Sequence, residues 1–145
     1  MDGLGTADPE IDTVLAAHVA SIAYASYERR VRQLIAERCR HPTDDPINRF
    51  TEVASVRLVR SIKVGELAGF LGFFGETEKQ AFQRAIDAQP EAVAAWGNLL
   101  TGRHGVAHEL ESAPTMTLAD VKRDIAAAAK VLEAFEAALG ESQSA

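Results

Sequence analysis

Three of the five prolines in this chain stand where a helix can begin and could not run through. Asp8-Pro9-Glu10 supplies a capping carboxylate, a residue whose φ is already fixed for a first turn, and a second acid beside the helix N-terminus. Asp45-Pro46 repeats the signal, and Gln89-Pro90-Glu91 opens another segment. Between these points the apolar residues step by threes and fours, the spacing of a helix with one oily face. Strand signals are nearly absent. A chain punctuated this way is committed to helices packed on helices.

The first run carries Ile11, Val14, Leu15, His18, Val19 and Ile22, then Tyr27, Val31, Leu34 and Ile35, and reaches about Arg40. His41-Pro42 closes it, because the residue before proline is pushed out of the α region. At 1.5 Å per residue, some 30 residues make a rod of about 45 Å. Its stripe is expected to face a core or a partner, with His18 on it. A second helix presents Ile47, Phe50, Val53, Val56, Leu58 and Val59. A third, near 64–74, ends at Gly75, and a fourth runs from about Glu76 to Ala88. The fifth shows Val93, Trp96, Leu99 and Leu100 on one stripe, with Trp96 expected in the core or a dimer interface. After a loop with Ser112 and Pro114, Thr117 and Asp120 form a capping box ahead of a last helix over 118–139. That helix buries Val121, Ile125, Ala128, Leu132 and Phe135, and Gly140 stops it. No repeat and no linker divides the chain. The expectation is one all-α domain over 1–145, an up-and-down bundle of five to six helices with a long first helix and an ordered core at about 9–140.

With 145 residues and 47% hydrophobic content, the chain can bury a core without staples. Its single cysteine, Cys39, allows no internal disulfide and is expected as a small buried hydrophobe. Residues 1–10 hold no apolar run of a secretory leader, and the oiliest stretch, 67–74, is far shorter than a membrane span, so a cytoplasmic location and no membrane partner are expected. The formal charge of −6 is unevenly spread. Residues 28–63 hold nine basic and five acidic side chains, so this segment carries +4 and the remainder −10. A basic face on an acidic molecule follows, or else merely the solvated sides of two helices.

Chemistry concentrates in Gly97-Asn98-Leu99-Leu100-Thr101-Gly102-Arg103-His104-Gly105-Val106-Ala107-His108-Glu109. Glycine in a helix interior costs roughly 1 kcal/mol against alanine, so Gly102 and Gly105 mark either a break or a close approach of another backbone. Arg103 and His108 are about 140° apart on a straight helix and converge only if the backbone bends between them. Arginine keeps its charge and grips phosphate oxygens in a fork, and histidine exchanges protons near neutrality. The pair suits phosphodiester chemistry. Its spacing alone is unspecific, since an arginine followed four to six residues later by a histidine arises about once by chance in such a composition. His104 and His108 lack the Glu at position 105 that a zincin helix requires, and no metal or other cofactor is expected. His41, beside Pro42, is expected to meet the C-terminal end of the first helix.

Arg103-His104-Gly-Val-Ala-His108 resembles the Arg-polar-x-x-x-His signature of the HEPN superfamily, within its small, single-domain, RiboL-PSP-HEPN-like members. A long first helix with Ser26-Tyr27-Glu28 and an apolar run with Trp96, Leu99 and Leu100 ahead of the box agree with this. The similarity spans about 11–139, and only the box is specific. The resemblance implies a metal-independent endoribonuclease that works as a homodimer on RNA, a toxin or defence effector restrained by an antitoxin or regulatory protein. Arg103 and His108 would be catalytic; His104, Glu28 and Asn98 would support the box or bind substrate, Glu28 by orienting the Arg or His. Leu110 stands where some members carry a tyrosine that a partner modifies, so that regulation is not implied. The alternative is a HEPN-like module without catalysis that binds a protein or nucleotide.

Overall fold

Asp8 caps the first helix by accepting the Glu10 N–H at 3.0 Å, and the computed structural model, which describes residues 8–107 and 116–140, continues from it as helix α1, Pro9–Arg38. Five more follow: α2 (Asp45–Leu58), α3 (Val64–Phe74), α4 (Glu76–Asp87), α5 (Pro90–Ala107) and α6 (Leu118–Gly140). The described residues contain no strand, and the fold is an all-α bundle. The second start is used one residue earlier than its Asp-Pro pair suggests. Asp44 accepts the Ile47 N–H at 3.0 Å, and Asp45 and Pro46 fall inside the first turn. Thr117 and Asp120 close a reciprocal box at the head of α6, with two bonds of 3.1 Å. Thr117, through its side chain first and its N–H second, holds the Asp120 carboxyl below the usual carboxylate range. Gly75 separates α3 from α4, and the carboxyl group of the buried Glu78, in the first turn of α4, fills the space a Cβ there would need.

Contacts along the helices fix their directions. Asp12 accepts the Leu118 N–H at 3.1 Å and Arg38 Nε donates to the Leu139 carbonyl at 2.9 Å, so α1 and α6 run parallel. Between them α5 runs the other way, with Trp96 at Tyr27 and Gly102 at Ala20. Outside this trio α2 returns along α1, held by an Asn48–His41 clamp of 2.7 and 2.9 Å at one end and by Arg32 on the Val59 carbonyl at the other. His41 is part of this connection, where its Nδ1 accepts the Thr43 N–H.

The core lies among α1, α5 and α6 and is lined with alanines (Ala16, Ala20, Ala92, Ala95, Ala128), which let helix axes approach closely. Larger groups from α3, α4 and α6 extend it: Phe82 meets Phe135 edge to face at 6.2 Å, and Leu67, Leu71 and Val131 are buried. Trp96 is in the core, 2% exposed. The bulky residues expected to face a core or a partner on the first half of α1 do not enter the core. Ile11, Val14, Leu15 and Ile22 are exposed, Ile22 at 69%, and so is His18. The buried face is Ala16, Ala20 and Tyr24, since two neighbouring helices at close range leave no room for larger side chains. Cys39 is likewise exposed, at the C-terminal cap of α1. Helix α2 buries Ser55 and leaves its large apolar side chains outside.

Two glycines in α5 differ sharply. A Cβ on Gly102 would lie 3.1 Å from Ala20 Cβ and 3.3 Å from Met116 Cε, whereas one on Gly97 meets nothing within 4 Å. Gly97→Ala should therefore stabilise the fold by about 0.5–1 kcal/mol. Gly102→Leu should cost about 1–3 kcal/mol by prising α5 from α1. Urea denaturation of the two variants beside the wild type checks both signs.

Candidate active site

Helix α5 continues without interruption through Gly102 to Ala107, so the glycines around Arg103 do not mark a break. Gly102 serves the other purpose a glycine has in a helix: it sets the α5 backbone directly on Ala20 of α1, with the Met116 methyl closing the third side. Arg103 and His104 follow immediately, in the last turns of α5. His108 lies outside the described residues, as do Glu109, Leu110, Ser112 and Pro114. The stretch of α1 around Ala20 carries the exposed stripe Ile11, Val14, Leu15 and Ile22, with His18 among them, on the face opposite that alanine.

The supporting residues are dispersed. Asn98 Nδ2 donates to Asp124 Oδ2 at 3.3 Å, and Asp124 is one of the few buried acids, so this asparagine joins α5 to α6. Glu28 sits eight residues beyond Ala20, about 12 Å further along α1. There its Oε1 accepts from Arg32 Nη2 at 2.6 Å, and the same guanidinium holds the Val59 carbonyl at 2.8 Å. Glu28 therefore belongs with Arg32 at the junction of α1 and the α2–α3 connection, away from the end of α5 where the box was expected to hold it. Tyr27, next to it, stacks on Trp96 at 5.1 Å and donates its hydroxyl to the Ile125 carbonyl at 2.7 Å, and burial pushes its phenol pKa up.

A groove of about 710 Å³ between α1 and α2 is announced by no motif in the sequence. Glu28, Arg29, Arg32, Arg40, Asn48 and Glu52 line it. The signal was present in the helical spacing of Arg29, Arg32, Gln33, Ala36 and Arg40, which reads first as an ordinary solvated face. Of the basic segment, Arg30 is bound to Glu37 and Glu136, and Arg38 to the α6 terminus, while Arg29, Arg40, Arg49, Arg57, Arg60 and Lys63 are exposed. Among the described residues no group of three His, Cys, Asp or Glu is placed to share a metal ion, and no helix is long and apolar enough to cross a membrane.

No family model matches the chain, and searches of curated proteins and of solved structures found no match.

The Asn98–Asp124 bond separates a structural from a substrate-binding role for Asn98. Asn98→Ala leaves the buried Asp124 carboxylate short of a donor and should lower the unfolding free energy by about 1–3 kcal/mol. Thermal and urea melts of Asn98→Ala against Asn98→Asp check it, and the aspartate, by setting two carboxylates together, should be the less stable of the two.

Proposed function

We propose that this chain is a metal-independent endoribonuclease of the HEPN type, acting as a homodimer. The observation that carries the reading is the exposed apolar stripe Ile11, Val14, Leu15 and Ile22 of the long α1, a surface open to a second copy, in a chain whose α5 holds Arg103 and His104 in its last turns. A second copy covering that stripe would pair the two chains about a two-fold axis. The all-α bundle and long α1 agree with this.

In the reaction the RNA 2′-oxygen bonds to the adjacent phosphorus and the P–O5′ bond breaks, giving a 2′,3′-cyclic phosphate and a 5′-hydroxyl. One imidazole takes the 2′-hydroxyl proton and a protonated one gives a proton to the departing O5′. His108 is the residue assigned to this exchange, supplied once by each copy. Arg103 neutralises the charge that builds on the non-bridging oxygens of the phosphorane, a task for a permanent fork of donors. His104 assists in holding the phosphate. The sugar hydroxyl is the nucleophile, so no metal-bound water is required. As a toxin or defence effector, such an enzyme would be held in check by an antitoxin or regulatory protein.

Purified protein incubated with mixed RNA in excess EDTA should cleave it to cyclic-phosphate ends. His108→Ala and Arg103→Ala should each lose about a hundredfold or more in rate while keeping the helical circular dichroism of the wild type. Cleavage that survives both substitutions, or that requires added metal, disproves the mechanism. Light scattering should give about 31 kDa, twice the 15.6 kDa of one chain. Ile22→Glu should shift that mass to the monomer and abolish cleavage together.

A further inference from the structure

Helix α2 stands apart from the rest of the bundle. It packs chiefly on α1, buries Ser55, and leaves Phe50 68% and Leu58 64% exposed. Across from it Phe73 of α3 is 82% exposed, the most open large apolar side chain among the described residues. Between these two helices lies an open groove of about 320 Å³. Phe50, Ala54 and Leu58, spaced four residues apart, form one wall, and Phe70, Phe73 and Phe74 form the other. Ile35 and Cys39 of α1 make the floor.

The lining offers an incoming chain almost nothing to hydrogen-bond with. Its two hydroxyls are already used inside α2: Thr51 Oγ1 donates to the Ile47 carbonyl at 2.9 Å and Ser55 Oγ to the Glu52 carbonyl at 2.8 Å. An extended peptide laid here would lose water from its backbone and gain no partner. A helix keeps its own bonds and asks only for apolar contact, so helix-in-groove binding is the mode this surface permits.

Charge selects among helices. The exposed ionic residues next to the walls are Arg57, on the Phe50 side of α2 seven residues on, then Arg60 and Lys63 in the connection to α3, with Glu66 and Glu76 as acids beside the α3 wall. Arg38 lies over the Phe74 ring at 5.8 Å. This is the +4 segment of a chain whose remainder is −10. Two copies meeting here about a two-fold axis would press basic rim on basic rim, which disfavours self-association through this face. We infer that the α2–α3 groove is the docking site for an acidic amphipathic helix of another protein, with apolar anchors at i, i+3, i+4 and i+7 between Phe50 and Phe73 and carboxylates against Arg57, Arg60 and Lys63. This is independent of the ribonuclease reading, because it uses the opposite half of α1 and none of the Arg103 box.

The test uses the full chain and a fluorescent synthetic helix of about four turns, ~15 residues, with leucines on one face and glutamates elsewhere. Anisotropy should report saturable binding, weakened about tenfold or more by Phe73→Asp or Phe50→Ser, and by replacing the peptide's glutamates with lysines. Phe73→Asp exchanges a side chain already in solvent, and its melting curve should match the wild type. Peptide-induced NMR shifts should cluster on Ala54, Leu58 and Phe70. Absence of binding, equal binding of a scrambled or lysine peptide, or binding indifferent to both groove variants overturns the proposal. So does co-sedimentation with phosphatidylcholine–phosphatidylserine vesicles that Phe73→Asp abolishes, since the face would then be a membrane contact. A drop in the chain's own mass in Phe73→Asp would show a self-interface and overturn it too.

Discussion

The stacked pair of Tyr27 and Trp96 holds the parts of this bundle in register. Their rings lie 5.1 Å apart and nearly parallel, and each sends its polar tip into a different neighbour. Tyr27 donates to the Ile125 carbonyl of α6, and Trp96 Nε1 donates to the Ile62 carbonyl ahead of α3 at 2.7 Å. Ile62 in turn sends its N–H toward the Tyr24 hydroxyl at 3.5 Å. Two aromatic residues thus connect α1, α5, α6 and the α2–α3 link, and an indole or phenol buried without such a partner would cost about 1–3 kcal/mol. With that junction set, the alanine faces on either side can close.

Close approach on one side and loose attachment on the other follow from the same choice of residues. Ala16, Ala20, Ala92, Ala95 and Ala128 draw α1, α5 and α6 together, and Gly102 extends the contact to the end of α5. Space between three helices this near is used up by methyl groups. The larger aliphatic residues of α1 and α2 are therefore displaced to the outside, where Ile22 and Phe50 stand in solvent. Dispersed exposed apolar residues are ordinary on a protein surface, but these are grouped, one set along the first half of α1 and the other around the α2–α3 groove.

Helix starts were legible because they are local. Asp8 with Pro9, Thr117 with Asp120, and Gly75 as a stop are decided by backbone donors within a turn, and the structure uses all of them. Which face turns inward was legible only where bulk marks it, as with Trp96, Leu99, Val121 and Phe135. On α1 the signal misled, because alanine is too small to stand out in an apolar pattern and Ile11, Val14, Leu15 and Ile22 drew the stripe to the wrong side. Cys39 went the same way, since a thiol at a helix terminus follows the terminus, not the habit of cysteine. For the site, Gly102 could be read as a close approach, but its neighbour Ala20 could not be named, being 82 residues away in a helix with many alanines. Glu28 and Asn98 looked available because sequence shows no partners; Arg32 and Asp124 supply them.

Electrostatics separates the two apolar surfaces. The stripe of α1 at Ile11 to Ile22 lies in the acidic part of the chain, ahead of the first arginine, and only His18 among its members can carry positive charge. The α2–α3 groove is framed by Arg57, Arg60 and Lys63. At physiological ionic strength charges further apart than about 8 Å are largely screened, so each surface answers mainly to the charges on its own rim. A weakly charged stripe tolerates its own copy across a two-fold axis, whereas a basic rim repels its copy and admits an acidic stranger. The two surfaces lie on opposite halves of α1, the helix they share, so a partner on one uses none of the residues of the other.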